Sequence, residues 1–178
     1  MQDSRWGEQV TGDPKGSPSE TKKQIKQNGC YLDGYSEAAI TLTGNTSYTP
    51  GYFNQHTEMF NSSQEFNSDM ASEITGMTND YWTKAVQGDL TNKINELNNS
   101  TTLYVVMAQV PYDADGDLHW VCIYGGVDEN GYVNIVGTSE NDYASTGLRS
   151  QIDTWDFSDG VKIKASDIEQ LRTFTKNK

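Results

Sequence analysis

Apolar side chains recur at steps of three and four in the first half of the chain and gather into short β-branched runs in the second. Leu32, Tyr35, Ala38, Ala39 and Leu42 describe one helical face, with Asn28 placed to cap it and Gly44-Asn45 to end it. Thr49-Pro50 reads as a cap followed by proline at the first helical position. The helix it opens sets Tyr52, Phe53, His56, Met59 and Phe60 on one side. A polar stretch, 61–80, leads to a short aromatic helical turn expected over Tyr81–Val86. Leu90, Ile94 and Leu97 mark a further helical stripe, stopped by Asn98-Asn99-Ser100.

Beyond residue 100 the period changes. Leu103–Val110 is a continuous apolar run of the kind buried strands carry, Leu118–Tyr124 is a second strand and Tyr132–Val136 a third. Asn130-Gly131 is the hairpin signal between the last two. Ser166-Asp167-Ile168-Glu169 has the spacing of a capping box and predicts a short C-terminal helix. Residues 1–27, with Gly12, Pro14, Gly16 and Pro18, read as a loop lead-in. Helices followed by an antiparallel sheet define an α+β class, and the chain reads as a single domain over 1–178.

Leu, Ile, Val and Phe supply 32 of 178 residues, a small core that ten Tyr and four Trp enlarge. The net charge is −12, and residues 28–160 hold three basic side chains (Lys84, Lys93, Arg149) against nineteen acidic ones. Such a surface repels phosphate backbones and anionic lipid, so neither nucleic acid nor membrane is expected as a partner. No stretch has the roughly 18 apolar residues of a membrane span. No cationic and then apolar leader follows Met1, so the sequence carries no expected secretory signal. Two cysteines and two histidines are too few, and wrongly spaced, for a zinc site, so no metal or cofactor is expected.

The candidate chemistry is one thiol and one imidazole. Cys30 is expected at the second position of the first helix, where the positive end of the helix dipole lowers a thiol's pKa and favours the thiolate. The competing reading is an inert small hydrophobe. His119 lies on the second strand, where alternation groups it with Val121 and Ile123 and sets Trp120, Cys122 and Tyr124 on the opposite face. Were the first helix to pack on the His119 face, Cys30 would meet the imidazole and miss Cys122. The competing reading of His119 is a half-buried strand histidine bonded to a carbonyl.

A thiol on a leading helix and a histidine on a following antiparallel sheet is how papain-like hydrolases are assembled. Gln2-Asp3-Ser4-Arg5-Trp6-Gly7, Gln24 through Gly29-Cys30, Ala38-Ala39, Tyr48-Thr49-Pro50 and His119-Trp120-Val121 with Gly125 occur in the order of the bacterial and phage C39-like peptidases. The chain resembles that family from residue 2 to about 137. The resemblance implies a papain-like fold, with N-terminal helices carrying the cysteine packed on the sheet carrying the histidine. It also implies a thiol hydrolase in which Cys30 is the nucleophile and His119 the base and then the acid. Gln24, six residues before Cys30, sits where papain-like enzymes carry the oxyanion-hole glutamine. A solvated loop residue is the alternative there.

Two places depart from the family. Its usual Asp-Pro pair after the histidine strand is replaced by Val136-Gly137-Thr138. Hairpin arithmetic offers substitutes: a two-residue turn at Asn130-Gly131 sets Asp142 opposite His119, a four-residue turn sets Glu140 there, and Asn141 lies between. Asp142 is the favoured third member. Tyr31 stands where the family often has a small residue, and is expected to narrow the cleft or touch substrate. His56, on an apolar stripe, reads as a packed histidine rather than a ligand. Asp113-Ala114-Asp115-Gly116-Asp117 has the look of a calcium loop, yet Tyr124 stands where the twelfth residue needs glutamate. The expected function is a monomeric cysteine peptidase or amidase cutting peptide or peptidoglycan amide bonds, as an endolysin or a secreted enzyme outside the cell. The alternative is a non-catalytic peptide-binding module with a degenerate triad.

Overall fold

Glycines set both limits of the first helix, α1 (Cys30–Thr43): Gly29 is its N-cap, and Gly44 adopts a left-handed φ of 72° while its N–H donates to the Ile40 carbonyl. The computed structural model describes residues 9–19, 22–25, 29–111, 118–136 and 162–176. The chain divides into two compact units, Gln2–Asn79 with Thr175–Lys178, and Asp80–Phe174.

In the first unit α1 is joined by α2 (Pro50–Asn54), a 3-10 turn (Thr57–Met59) and α3 (Ser68–Thr75). Thr49 caps α2 through its side chain, with proline at the first helical position as the sequence predicts. The predicted α1 face is buried at Leu32, Tyr35, Ala38 and Ala39. Tyr35 meets Phe53 and Phe66 edge-on at 5.2 and 5.1 Å, and its hydroxyl shares a 3.0 Å hydrogen bond with Thr75 Oγ1. The small aliphatic inventory is thus offset by interlocking rings. Helix α3 lies inside the stretch whose polarity predicts no element. Asn67 caps it by accepting from the N–H groups of Asp69 and Met70, a local signal that overrides the weak apolar pattern.

The second unit is built on an antiparallel sheet. Its strands are β1 (Met77–Thr83), at whose third residue the unit boundary falls, then β2 (Val105–Pro111), β3 (Leu118–Tyr124), β4 (Tyr132–Val136), β5 (Lys162–Lys164) and β6 (Gln170–Lys176). Their order across the sheet is β1-β6-β2-β3-β4-β5. Helices α4 (Lys84–Gln87) and α5 (Thr91–Asn98) precede β2. One face of the sheet (Ala108, Val110, Val121, Ile123, Val133, Ile135, Ile163 and Leu171) packs with Leu90 and Ile94 of the α5 segment and with Ile168 into a continuous core. The molecule is therefore a mixed fold of helices and antiparallel sheet, the coarse class the sequence predicts.

Three expected elements are corrected. The helix opened by Thr49-Pro50 stops at Asn54, so His56, Met59 and Phe60 share no helical face with Tyr52 and Phe53; Thr57–Met59 forms a separate 3-10 turn and Phe60 is extended. Tyr81 and Trp82 belong to strand β1, and only the four residues of α4 after them are helical. The capping-box residues Ser166 to Glu169 open no helix. Ala165–Asp167 forms a 3-10 turn, and the chain then enters β6. Tertiary pairing decides this: β6 aligns Leu171 with Ala108 and Phe174 with Val105, and Glu169 N–H donates to the Gln109 carbonyl at 2.8 Å. Pairing inside the sheet, between β1 and β2, outweighs a capping signal worth about 1 kcal/mol.

Candidate functional site

Cys30 is the first residue of α1, one position earlier than the sequence predicts, because Gly29 is the cap. Gly29 contributes no side-chain cap, so the positive end of the α1 dipole is met by no capping side-chain oxygen at the residue before the sulfur. Gly29 stands close to Ile25. Gly29 N–H donates to the Ile25 carbonyl at 2.7 Å, and a Cβ on Gly29 would stand 2.5 Å from that oxygen and 2.6 Å from Ile25 Cγ2. Glycine before the cysteine is a steric requirement here, since its φ of −85° is open to any residue. Cys30 is half-buried and Cys122 buried, and both carry thiols rather than a disulfide.

Gln24 belongs to the same unit. It is half-buried in a bridge with Val10, and the neighbouring Ile25 N–H donates to the Gln9 carbonyl at 2.9 Å. The residue is held by the lead-in rather than left in a solvated loop. Two side chains fix that lead-in through five hydrogen bonds. Asn54, fully buried, accepts from Gly12 N–H and donates to Gln9 and Val10, while Gln64 donates to the Thr11 carbonyl and accepts from Lys23 N–H. Gln64 does this from a left-handed φ of 64°, unusual for a side-chain-bearing residue. Neither residue is evident from sequence pattern, because amides that bind backbone follow no periodicity.

His119 belongs to the second unit, as the second residue of β3, paired across from Val110 of β2. Alternation sets it on the face of Val121 and Ile123, as expected, and the helix packed on that face within the unit is α5. Burial pushes its imidazole down to about 4, since little water remains to solvate the cation. His119 is therefore neutral at pH 7. The opposite face carries Met107, Cys122 and Phe174, all buried.

Asp142, Glu140 and Asn141 lie outside the described residues, as does the loop Asp113–Asp117. The register used to choose among the carboxylates is corrected. Gly131, at φ 84°, donates to the Asp128 carbonyl, and Asp128 N–H closes on the Tyr132 carbonyl at 2.8 Å. Asp128 Oδ1 accepts from the N–H groups of both Asn130 and Tyr132. Gly125 to Val127 then leave the ladder, Val127 N–H being drawn to Asn95 Oδ1 of α5 at 2.8 Å. The ladder starts at Tyr124↔Asn134 and runs to Cys122↔Val136. That register differs from both hairpin arithmetics, which would have set Asn134 opposite Val127 or Gly125 rather than Tyr124.

Tyr31 is engaged inside the first unit, its hydroxyl 2.9 Å from Ser68 Oγ and its ring beside Phe66. His56 packs on Tyr52 and pairs through Nδ1 with Glu58 at 3.1 Å, a satisfied histidine, though it lies past the end of α2 rather than on a helical stripe. Among the described residues no group of three or more metal-ligating side chains converges, and no helix is long and apolar enough to cross a membrane. Comparison with protein-family models, with curated proteins and with solved structures returns no match in any of the three.

Proposed function

We propose that the chain is a papain-like cysteine hydrolase, similar to the C39-like peptidases, that cleaves amide bonds in peptides, cell-wall cross-links above all. The observation that carries this reading is Cys30 at the first position of a fourteen-residue helix, behind a glycine at which a Cβ would crowd Ile25. A thiolate there attacks the scissile carbonyl, with the Gln24 amide and the Cys30 N–H as oxyanion donors. The amine leaves with the proton that His119 took from the thiol, and water, deprotonated by His119, then releases the acid and restores the thiol. Burial keeps His119 in the neutral, proton-accepting form. Stabilising its imidazolium is the role assigned to Asp142, with Glu140 or Asn141 as substitutes. The acidic middle of the chain suits peptides bearing free amines, and the expected place of action is outside the cell or at the wall.

The second reading is a peptide-binding module that lacks a working triad. It is favoured by the depressed His119 pKa and by the core residues sharing its face. Purified peptidoglycan and a lysine-bearing cross-link peptide, incubated with the protein and with Cys30→Ser, separate the two. New amino termini released by the parent chain and absent with the variant support hydrolysis. Equal release by both removes Cys30 as the nucleophile, and none by either alongside saturable binding supports the module.

A further inference from the structure

At the other end of β3 from His119 the second unit opens a groove of about 350 Å³, within the usual range of about 300–1,000 Å³ for small-molecule sites. Its floor is apolar, made by Ile94 and Leu97 of α5, Val106 of β2 and Ile123 of β3. Ile123 lies four residues along the strand from His119, about 13 Å at ~3.3 Å per residue. Tyr104 extends the alternation of β2 one step before the strand and stands on the same side as Val106. Exposed Asn98, Thr101 and Thr102 complete the rim.

We propose that this groove binds a short neutral saccharide. Among the described residues, none lining it carries a charge, in a region of the chain where acidic side chains far outnumber basic ones. A charged ligand would therefore surrender its hydration for nothing that neutralises it. A wholly apolar ligand would cover the Asn98 amide and the threonine hydroxyls without bonding them, at a cost for each group left unpaired. A pyranose answers both demands. Its C–H faces suit the aliphatic floor and the Tyr104 ring, and its perimeter hydroxyls both donate and accept, as do amide and threonine side chains. Among the described residues, the fold uses the side chains of Asn98, Thr101, Thr102 and Tyr104 for no hydrogen bond of its own. The proposal is independent of the thiol chemistry.

The test is an amide-resolved NMR titration of the full chain with N-acetylglucosamine oligomers, maltose oligomers and a neutral tetrapeptide. At least one saccharide is expected to move the resonances of 98–104 and 123–125 saturably. Tyr104→Ala should weaken that binding about tenfold, the worth of one aromatic contact, while Tyr104→Phe retains it. Thr101→Val and Thr102→Val, at exposed positions that leave the fold intact, should each weaken it several-fold, and Cys30→Ser should leave it unchanged. Silence up to about 10 mM saccharide, past the millimolar range of weak ligands, would overturn the proposal. So would shifts confined to other residues, or a tighter response to the tetrapeptide.

Discussion

Asn54 holds Gly12 at 2.7 Å through Oδ1, while its Nδ2 donates to Gln9 Oε1 at 3.0 Å and to the Val10 carbonyl at 3.1 Å. One fully buried amide thus ties α2 to the strand-like lead-in that carries Gln24 in its bridge with Val10. Asn54→Ala strands the Gly12 N–H and the Val10 carbonyl without water. The expected loss is about 3 kcal/mol, read as a lower denaturant midpoint at unchanged slope. Asn54→Asp keeps the acceptor but discards both donors and should be no better.

Gly29→Ala drives a methyl against the Ile25 carbonyl and Cγ2, so the two residues must move apart. Overpacking of this kind costs about 1–3 kcal/mol. The alkylation rate of Cys30 should change along with stability, because the displaced residue is its immediate neighbour. Gly44→Ala, at the other end of the helix where a Cβ meets nothing, costs only the left-handed backbone strain and should leave that rate alone.

An activated Cys30 should react with iodoacetamide well below pH 8.5, the ordinary value for a thiol. Cys122 is buried and should react only on unfolding, so the native protein takes up one label. A Cys30 rate that follows an ordinary thiol titration would remove the nucleophile from the hydrolase reading. Gln24→Ala, acting on the oxyanion rather than the thiol, should leave this rate intact while lowering any turnover about 100-fold or more.

Burial of His119 makes stability depend on pH. The unfolded chain takes up the proton near pH 6.5, whereas the folded chain waits until about 4. Between these values the unfolded state binds more protons, so stability is full above pH 6.5 and falls as the pH drops toward 4. The gap corresponds to on the order of 3 kcal/mol. His119→Phe should flatten urea-derived stability across that window. A profile equally steep in the variant would assign the slope to other groups.

Much of the helical and strand framework was legible because period and punctuation agree in it. The α1 face repeats at three and four between two glycines, Thr49-Pro50 opens α2, and β2, β3 and β4 are runs of β-branched and aromatic residues. What escaped were elements defined by partners. Strand β6 follows a capping-box spacing that predicts a helix, and its place between β1 and β2 makes it a strand. Helix α3 depends on Asn67, and β1 hides in a polar stretch. Cys30 and His119 could be singled out as rare residue types at telling positions. Asn54 and Gln64 could not, since one amide among many carries no mark until its neighbours in space are known. The hairpin register failed for a similar reason: the Asn130-Gly131 turn was legible, but Asn95 pulling on Val127 was not.

Strands β4 and β5 are antiparallel neighbours, with Asn134 opposite Lys162, and Lys162 is also anchored to Asp128 at 3.2 Å. Residues 137–161 therefore form a connection between two strands that are neighbours in the sheet. Swapping its length asks little of the framework, since doubling a connection costs only about 0.6 kcal/mol in closure entropy. Replacing it by a short glycine-containing turn should yield a chain that still folds. Every carboxylate nominated to steer the imidazole would leave with it, so one deletion separates the scaffold's needs from those of the chemistry.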